Sequence, residues 1–154
     1  MHPVKDSPRS LVRVGYDGRV HKTFRGPRAR QRFDNEVRVL RHLEQAGCDI
    51  VPRVLEADAD KLYLVTSNCG KPVDQLSDDK KQALFDRLRS YGVSHGDEEI
   101  RNVTYRISDQ QFCVIDFELA RIDGDPPPSE DSEDEQRKER QLRRLPESRP
   151  GKKP

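Results

Sequence analysis

Along residues 1–122 the hydrophobic pattern switches between two periods. Leu11-Val12-Arg13-Val14 reads as a strand, Gly15-Tyr16-Asp17-Gly18 as a turn, and residues 19–24 as the returning strand, with Val12, Val14, Val20 and Phe24 supplying apolar faces. After Pro27 the period changes. Phe33, Val37 and Leu40 fall at i, i+4 and i+7, and Leu43 extends the stripe, which predicts a helix from Pro27 to about Ala46, stopped by Gly47. Residues 52–55 and 61–66 predict a further strand pair around Asp58-Ala59-Asp60, and residues 67–72 a loop. Ser77 can cap a helix over residues 78–90, with Leu84, Phe85 and Leu88 on one side and Gly92 at its end. Residues 103–107 and 111–115 form a hairpin pattern around Ser108-Asp109-Gln110. Residues 1–9, polar with two prolines, predict a loose start.

Composition divides the chain in two. Of its 154 residues 32% are hydrophobic and 37% charged, against about 45–50% and about 25% in an average domain. The deficit is local: residues 123–154 hold only two apolar side chains, Leu142 and Leu145. A folded domain is therefore expected over 10–122 and a disordered, charged tail over 123–154, acidic at 129–135 and basic at 137–144.

A net charge of +1 gives no electrostatic case for nucleic acid or an anionic membrane. No apolar run approaches the roughly 18 residues of a membrane span, and the start has no signal-peptide core. Cys48, Cys69 and Cys113 are scattered, which suits neither a disulfide framework nor a zinc site. A cytoplasmic protein is expected.

The chemistry concentrates in His95-Gly96-Asp97-Glu98-Glu99-Ile100-Arg101-Asn102 and, beyond the hairpin, Asp116-Phe117-Glu118. A polar turn between a helix and a strand accounts for the first segment alone. Asp116 is stranger, because it ends the apolar run Val114-Ile115. A carboxylate there is costly unless a cation pairs with it. An Asp on a loop can orient a hydroxyl, while an Asn just beyond it and an Asp after a hairpin can hold Mg²⁺ on nucleotide phosphates.

This pattern, H-x-D-x-x-x-x-N followed by D-F-x, resembles the protein-kinase-like superfamily. The HGD form is nearest the RIO-type and other small atypical kinases and the aminoglycoside phosphotransferases. The resemblance covers about residues 10–122. It implies an α+β, truncated kinase-like fold: a small antiparallel N-lobe sheet with one helix, then a reduced C-lobe. It implies ATP with Mg²⁺ or Mn²⁺ as cofactors. Val20-x-Lys22 resembles the strand whose Lys grips the phosphates, so Val20, Lys22 and Glu36 are expected at the nucleotide. Asp97 would be the base or orienter, and Asn102 and Asp116 the metal ligands. Leu40, Phe117 and His95 would stack, and residues 61–70 resemble the strand and hinge that contact adenine. Without the resemblance, Lys22 reads as a solvated edge charge and Glu36 as a surface partner of Arg32, a pair contributing only about 0–1 kcal/mol.

The chain departs from the family in four places. The short Gly15–Gly18 turn replaces a glycine-rich loop. Glu118 stands where the family has glycine, so it faces that glycine's positive φ and brings a negative charge, as an extra ligand or as a repulsion. Glu99 takes the place of a lysine, and Arg101 is expected to restore the positive charge at the catalytic centre. A proline-rich stretch follows residue 121 in place of an activation segment. Two functions follow as expectations. One is a minimal serine/threonine-type protein kinase acting on a protein acceptor or on itself, at Ser129 or Ser132, with a possible partner completing the reduced lobe. The other is a pseudokinase or docking module. A small-molecule phosphotransferase is disfavoured, because no substrate-binding helical subdomain is evident.

Overall fold

The computed structural model describes residues 2–126. The expected tail, with Ser129 and Ser132, lies almost wholly outside them. Two helices and three antiparallel sheets make an α+β fold. Five strands form the first sheet: β1 (His2–Asp6), β2 (Ser10–Val14), β3 (Val20–Phe24), β4 (Val54–Asp58) and β5 (Tyr63–Thr66), in the order β1-β2-β3-β5-β4.

The loose start predicted for residues 1–9 is instead the edge strand β1, which pairs with β2. Its stabilisation is a backbone ladder on an otherwise free edge, and that leaves no hydrophobic period to read. Pro3 is tolerated because an edge strand leaves one side of its backbone unpaired.

Helix α1 (Ala29–Gln45) crosses the sheet, burying Phe33, Val37, Leu40 and Leu43. It ends as the sequence predicts, at Gly47. The Cys48 N–H donates to the Leu43 carbonyl (2.9 Å) and the Gly47 N–H to that of Glu44 (3.1 Å), with Gly47 at φ +85°. Two charged side chains, Arg32 and Glu36, are buried in the same stripe.

Residues 67–70 lead from β5 into a second sheet, ordered β6-β8-β9: β6 (Lys71–Pro72), β8 (Val103–Arg106) and β9 (Gln111–Val114). The sequence predicts loop where β6 lies. A two-residue strand has no period, and its pairing with Thr104 and Tyr105 exists only in the folded chain. The crossing is tight: a Cβ on Gly70, at φ +92°, would stand 1.9 Å from the Tyr105 carbonyl oxygen.

Helix α2 (Asp78–Ser90) lies beside this sheet. Ser77 caps it, accepting from the Lys80 N–H at 3.2 Å, and Asp78 and Asp79 at its start complement Arg87 and Arg89 at its end. Phe85 and Leu88 are its buried contacts. Strand β7 (Val93–Ser94) then pairs with β10 (Arg121–Ile122), and the Asp123 N–H donates to the Gly92 carbonyl at 2.8 Å. This clasp ties the two ends of the segment that holds both motifs. One core runs through the body, from Phe24, Phe33 and Leu40 to Phe85, Val114 and Phe117. Among the described residues no helix is long and apolar enough to cross a membrane.

Candidate functional site

Two clusters of ionisable side chains, the first of them at β3, are linked through His95. In the first, period two along β3 puts Val20, Lys22 and Phe24 on the face toward α1. The Lys22 ammonium lies 4.5 Å from the Phe24 ring centroid. Its Nζ donates to Glu36 Oε1 at 2.8 Å, and it lies 2.8 Å from Glu118 Oε1 and 3.6 Å from Asp116 Oδ1. The other Glu36 oxygen accepts from the Phe117 N–H at 2.6 Å. Glu36 thus fastens α1 both to the strand lysine and to the Asp116–Glu118 segment.

Burial opposes the charge on Lys22, but Asp116, Glu118 and Glu36 outweigh it and hold the ammonium well above its ordinary value. The Glu36 carboxyl is pushed up. Its burial and the nearby Asp116 and Glu118 carboxylates prevail over the pull of Lys22. The surface pair that Glu36 would make with Arg32 is absent. Glu36 has 5% of its side chain exposed and bonds Lys22. Arg32 instead donates to the carbonyls of Pro27, Arg9 and Arg25 and lies 3.5 Å from Glu118 Oε1.

The second cluster is built on the loop after β7. Gly96, at φ +85°, brings the loop so close to residue 119 that a Cβ would lie 2.3 Å from the Leu119 carbonyl oxygen. Asp97 accepts from Arg101 Nη2 on both carboxylate oxygens (3.0 and 2.9 Å). Asn102 Nδ2 donates to the Asp97 main-chain oxygen (2.8 Å) and to Oδ2 (3.0 Å). Arg101 therefore does place positive charge at Asp97. With its amide nitrogen turned to Asp97, the atom Asn102 can offer a cation is its amide oxygen.

His95 joins the clusters. Its Nδ1 accepts from the Asp97 N–H at 3.1 Å, and its Nε2 lies 2.9 Å from the Ile115 carbonyl oxygen, next to Asp116. A carbonyl only accepts, so Nε2 carries the proton and the ring is neutral. Its ring sits between Phe85 (5.2 Å) and Phe117 (4.9 Å), both edge-on, and Phe117 shares the core with Leu40. The Ile115 N–H also donates to the Asn102 carbonyl at 2.9 Å, so backbone and ring both fix the spacing of the two motifs.

Burial holds His95 below its ordinary value near 6.5. The unfolded chain therefore takes up this proton at a higher pH than the folded one. The His95 contribution is fully present above about pH 6.5 and is lost as pH falls below it, by at most about 1.4 kcal/mol per pH unit. Urea melts of wild type and His95→Gln between about pH 7 and 5 should show the shallower pH dependence in the variant. Equal slopes would mean that His95 charges as readily folded as unfolded.

The departures from the sequence pattern resolve in space. Glu118 does not occupy the left-handed region expected of it; Asp116 does, at φ +66°. Asp is among the few residues that tolerate this conformation, and such strain concentrates at functional positions. Nor is Glu118 a bare repulsion. It is 4% exposed and meets both Lys22 and Arg32. Sequence reasoning missed Arg32 and Asn35. Asn35 Nδ2 donates to the carbonyls of Glu118 (2.9 Å) and Ala120 (2.8 Å), pinning that segment to α1. For Arg32 the available signal was a charged residue beside each apolar position of the α1 stripe; Asn35 carries no such signal.

The turn before β3 is as short as the sequence suggests. The Gly18 N–H donates to the Gly15 carbonyl at 2.9 Å, and Asn68 on the inter-sheet connection donates to the Gly18 carbonyl at 3.1 Å. Tyr16 at the tip is 95% exposed. A separate groove of about 610 Å³ lies along α1, lined by Phe33, Val37, Arg38, Arg41 and Ile122 among others. None of the residues of the two clusters lines it. No protein-family model matches the chain, and no curated protein matches it significantly.

Proposed function

We propose that the chain is an ATP-dependent phosphotransferase of minimal protein-kinase-like form, working with Mg²⁺ or Mn²⁺ in the cytoplasm on a protein hydroxyl, its own serines included. The observation that carries this reading is the meeting of Lys22, Glu36 and Asp116, contributed by a strand, a helix and a hairpin end, with Asp97, Arg101 and Asn102 held beside them through His95. A solvated strand lysine has no need of this support. The free, buried Cys48, Cys69 and Cys113 suit a reducing compartment.

The donor set fits the implied metal. Asp116 offers a carboxylate and Asn102 an amide oxygen, hard ligands that suit Mg²⁺ or Mn²⁺. Bound there, the ion would neutralise charge on the phosphates. The protein's own part is positional. Lys22, steered by Glu36, meets phosphate oxygens, and Val20 flanks it on the same face. Asp97 orients and accepts the proton of the incoming hydroxyl. Arg101 approaches Asp97 from the solvent side, with 36% of its side chain exposed, and so can yield to that hydroxyl. The docking-module alternative draws on the short Gly15–Gly18 turn, which gives phosphates little cover from water. A partner for the reduced lobe would meet a polar surface on α2, which has no exposed large hydrophobic side chain.

Thermal melts test the reading. With Mg²⁺ and ATP at several times about 1 mM, the upper end of common KM values, the melt should rise, reaching about 2.7 kcal/mol of added stability at 100 times Kd. EDTA should remove most of the shift, and Asp116→Asn, which removes the carboxylate charge while keeping a residue that tolerates positive φ, should sharply reduce it. Identical wild-type melts with and without Mg²⁺–ATP would refute nucleotide binding.

A further inference from the structure

We propose that Glu118 occupies the place of a phosphate on Lys22, so that nucleotide binding requires this carboxylate to move from Lys22 to Arg32. The inference rests on the phosphotransferase reading and adds a regulating residue to it. Lys22 is nearly enclosed by three carboxylates, and Glu118 Oε1 is as close to it as Glu36 Oε1, at 2.8 Å. Glu36 cannot yield easily, because its second oxygen holds the Phe117 N–H. Asp116 is farther away, at 3.6 Å. Glu118 is the one that can leave, because Arg32 waits 3.5 Å from the same oxygen.

Arg32 is suited to receive it. Its guanidinium is fixed by three backbone carbonyls and only 4% exposed, so it stays in place when Lys22 turns to phosphate. Asn35 anchors the Glu118 main chain, leaving its side chain to exchange partners without loss of the segment. Two cations here face three carboxylates. A phosphate therefore arrives at a lysine already shared among anions, and it must compete with a charge-assisted bond. The network has two arrangements, and nucleotide favours one of them by its differential contact with Lys22.

Titration calorimetry with Mg²⁺–ATP on the full chain tests this. Glu118→Gln keeps the shape and removes the charge. It should bind about ten- to hundredfold more tightly than wild type, the equivalent of one charge-assisted hydrogen bond. The gain should vanish in Lys22→Met/Glu118→Gln, because it acts through Lys22. A melt of nucleotide-free Glu118→Gln verifies folding, and Glu118→Asp, which keeps the charge, should bind Mg²⁺–ATP with near wild-type affinity; a gain in Glu118→Asp equal to that of Glu118→Gln would overturn the inference. Unchanged affinity in Glu118→Gln, with wild type binding, would overturn the inference and leave the phosphotransferase reading intact. Weaker, metal-sensitive binding would make Glu118 a metal ligand and also overturn it. Failure of both proteins to bind would remove both readings, whereas binding by Glu118→Gln alone would support both.

Discussion

Replacing Lys22 by methionine should destabilise the nucleotide-free protein by about 3–5 kcal/mol, the usual result of removing one partner from a buried ion pair. For a body of this size that is a drop in Tm on the order of 10–20 °C. Taken as an edge charge, the same residue predicts an almost unchanged melt. Burial decides between the two. The Lys22 side chain is 11% exposed and those of its carboxylate neighbours 1–13%. Without the ammonium, Glu36, Asp116 and Glu118 face one another beside Arg32. Glu36 would also have to keep the Phe117 N–H while its carboxyl is pushed further toward protonation. Urea unfolding at neutral pH measures the loss. A loss below about 1 kcal/mol would mean that the cluster is solvated and that Lys22 is an ordinary surface pair.

Asp97→Asn should lower the rate of phosphoryl transfer about 10²–10⁴-fold, the span typical of a general acid–base group, and leave the Mg²⁺–ATP melt shift largely intact. The substitution keeps the size of the side chain but removes the proposed acceptor of the hydroxyl proton and the charge that Arg101 matches. On the proposed reading Lys22 and Asp116 meet the nucleotide, so affinity and rate should separate. Transfer of labelled phosphate to the chain or to an added protein gives the rate. A variant as active as wild type would exclude Asp97 as the base. A wild type that binds Mg²⁺–ATP and transfers nothing would favour the docking-module alternative.

The order of helices and strands was legible in the sequence, because periodicity and caps act over a few residues. The α1 stripe, its Gly47 stop, the Ser77 cap and the hairpin of residues 103–115 all have such local signals. The elements that escaped, β1, β6 and the β7–β10 clasp, are short pairings of backbone to distant backbone. The two motif segments contain Asp97, Arg101, Asn102 and Asp116, and the resemblance they carry pointed on to Lys22 and Glu36.

The sequence determined which groups are present and roughly where each sits along its element. It left their partners open. Glu36 could meet Arg32, one turn away on its own helix, or Lys22 on a strand, and local spacing favours the first. The packing of α1 against β3 selects the second, because it buries Glu36 beside Lys22 while Arg32 turns to the carbonyls of Pro27, Arg9 and Arg25. Glu118 shows the same division. As a letter in a motif it is a misplaced charge beside a metal ligand. In the fold it lies between two cations from β3 and α1, and positive φ falls on Asp116 instead. Coulomb interactions and desolvation depend on distance and burial in space, and those quantities arise only when elements far apart in the chain close over a common core.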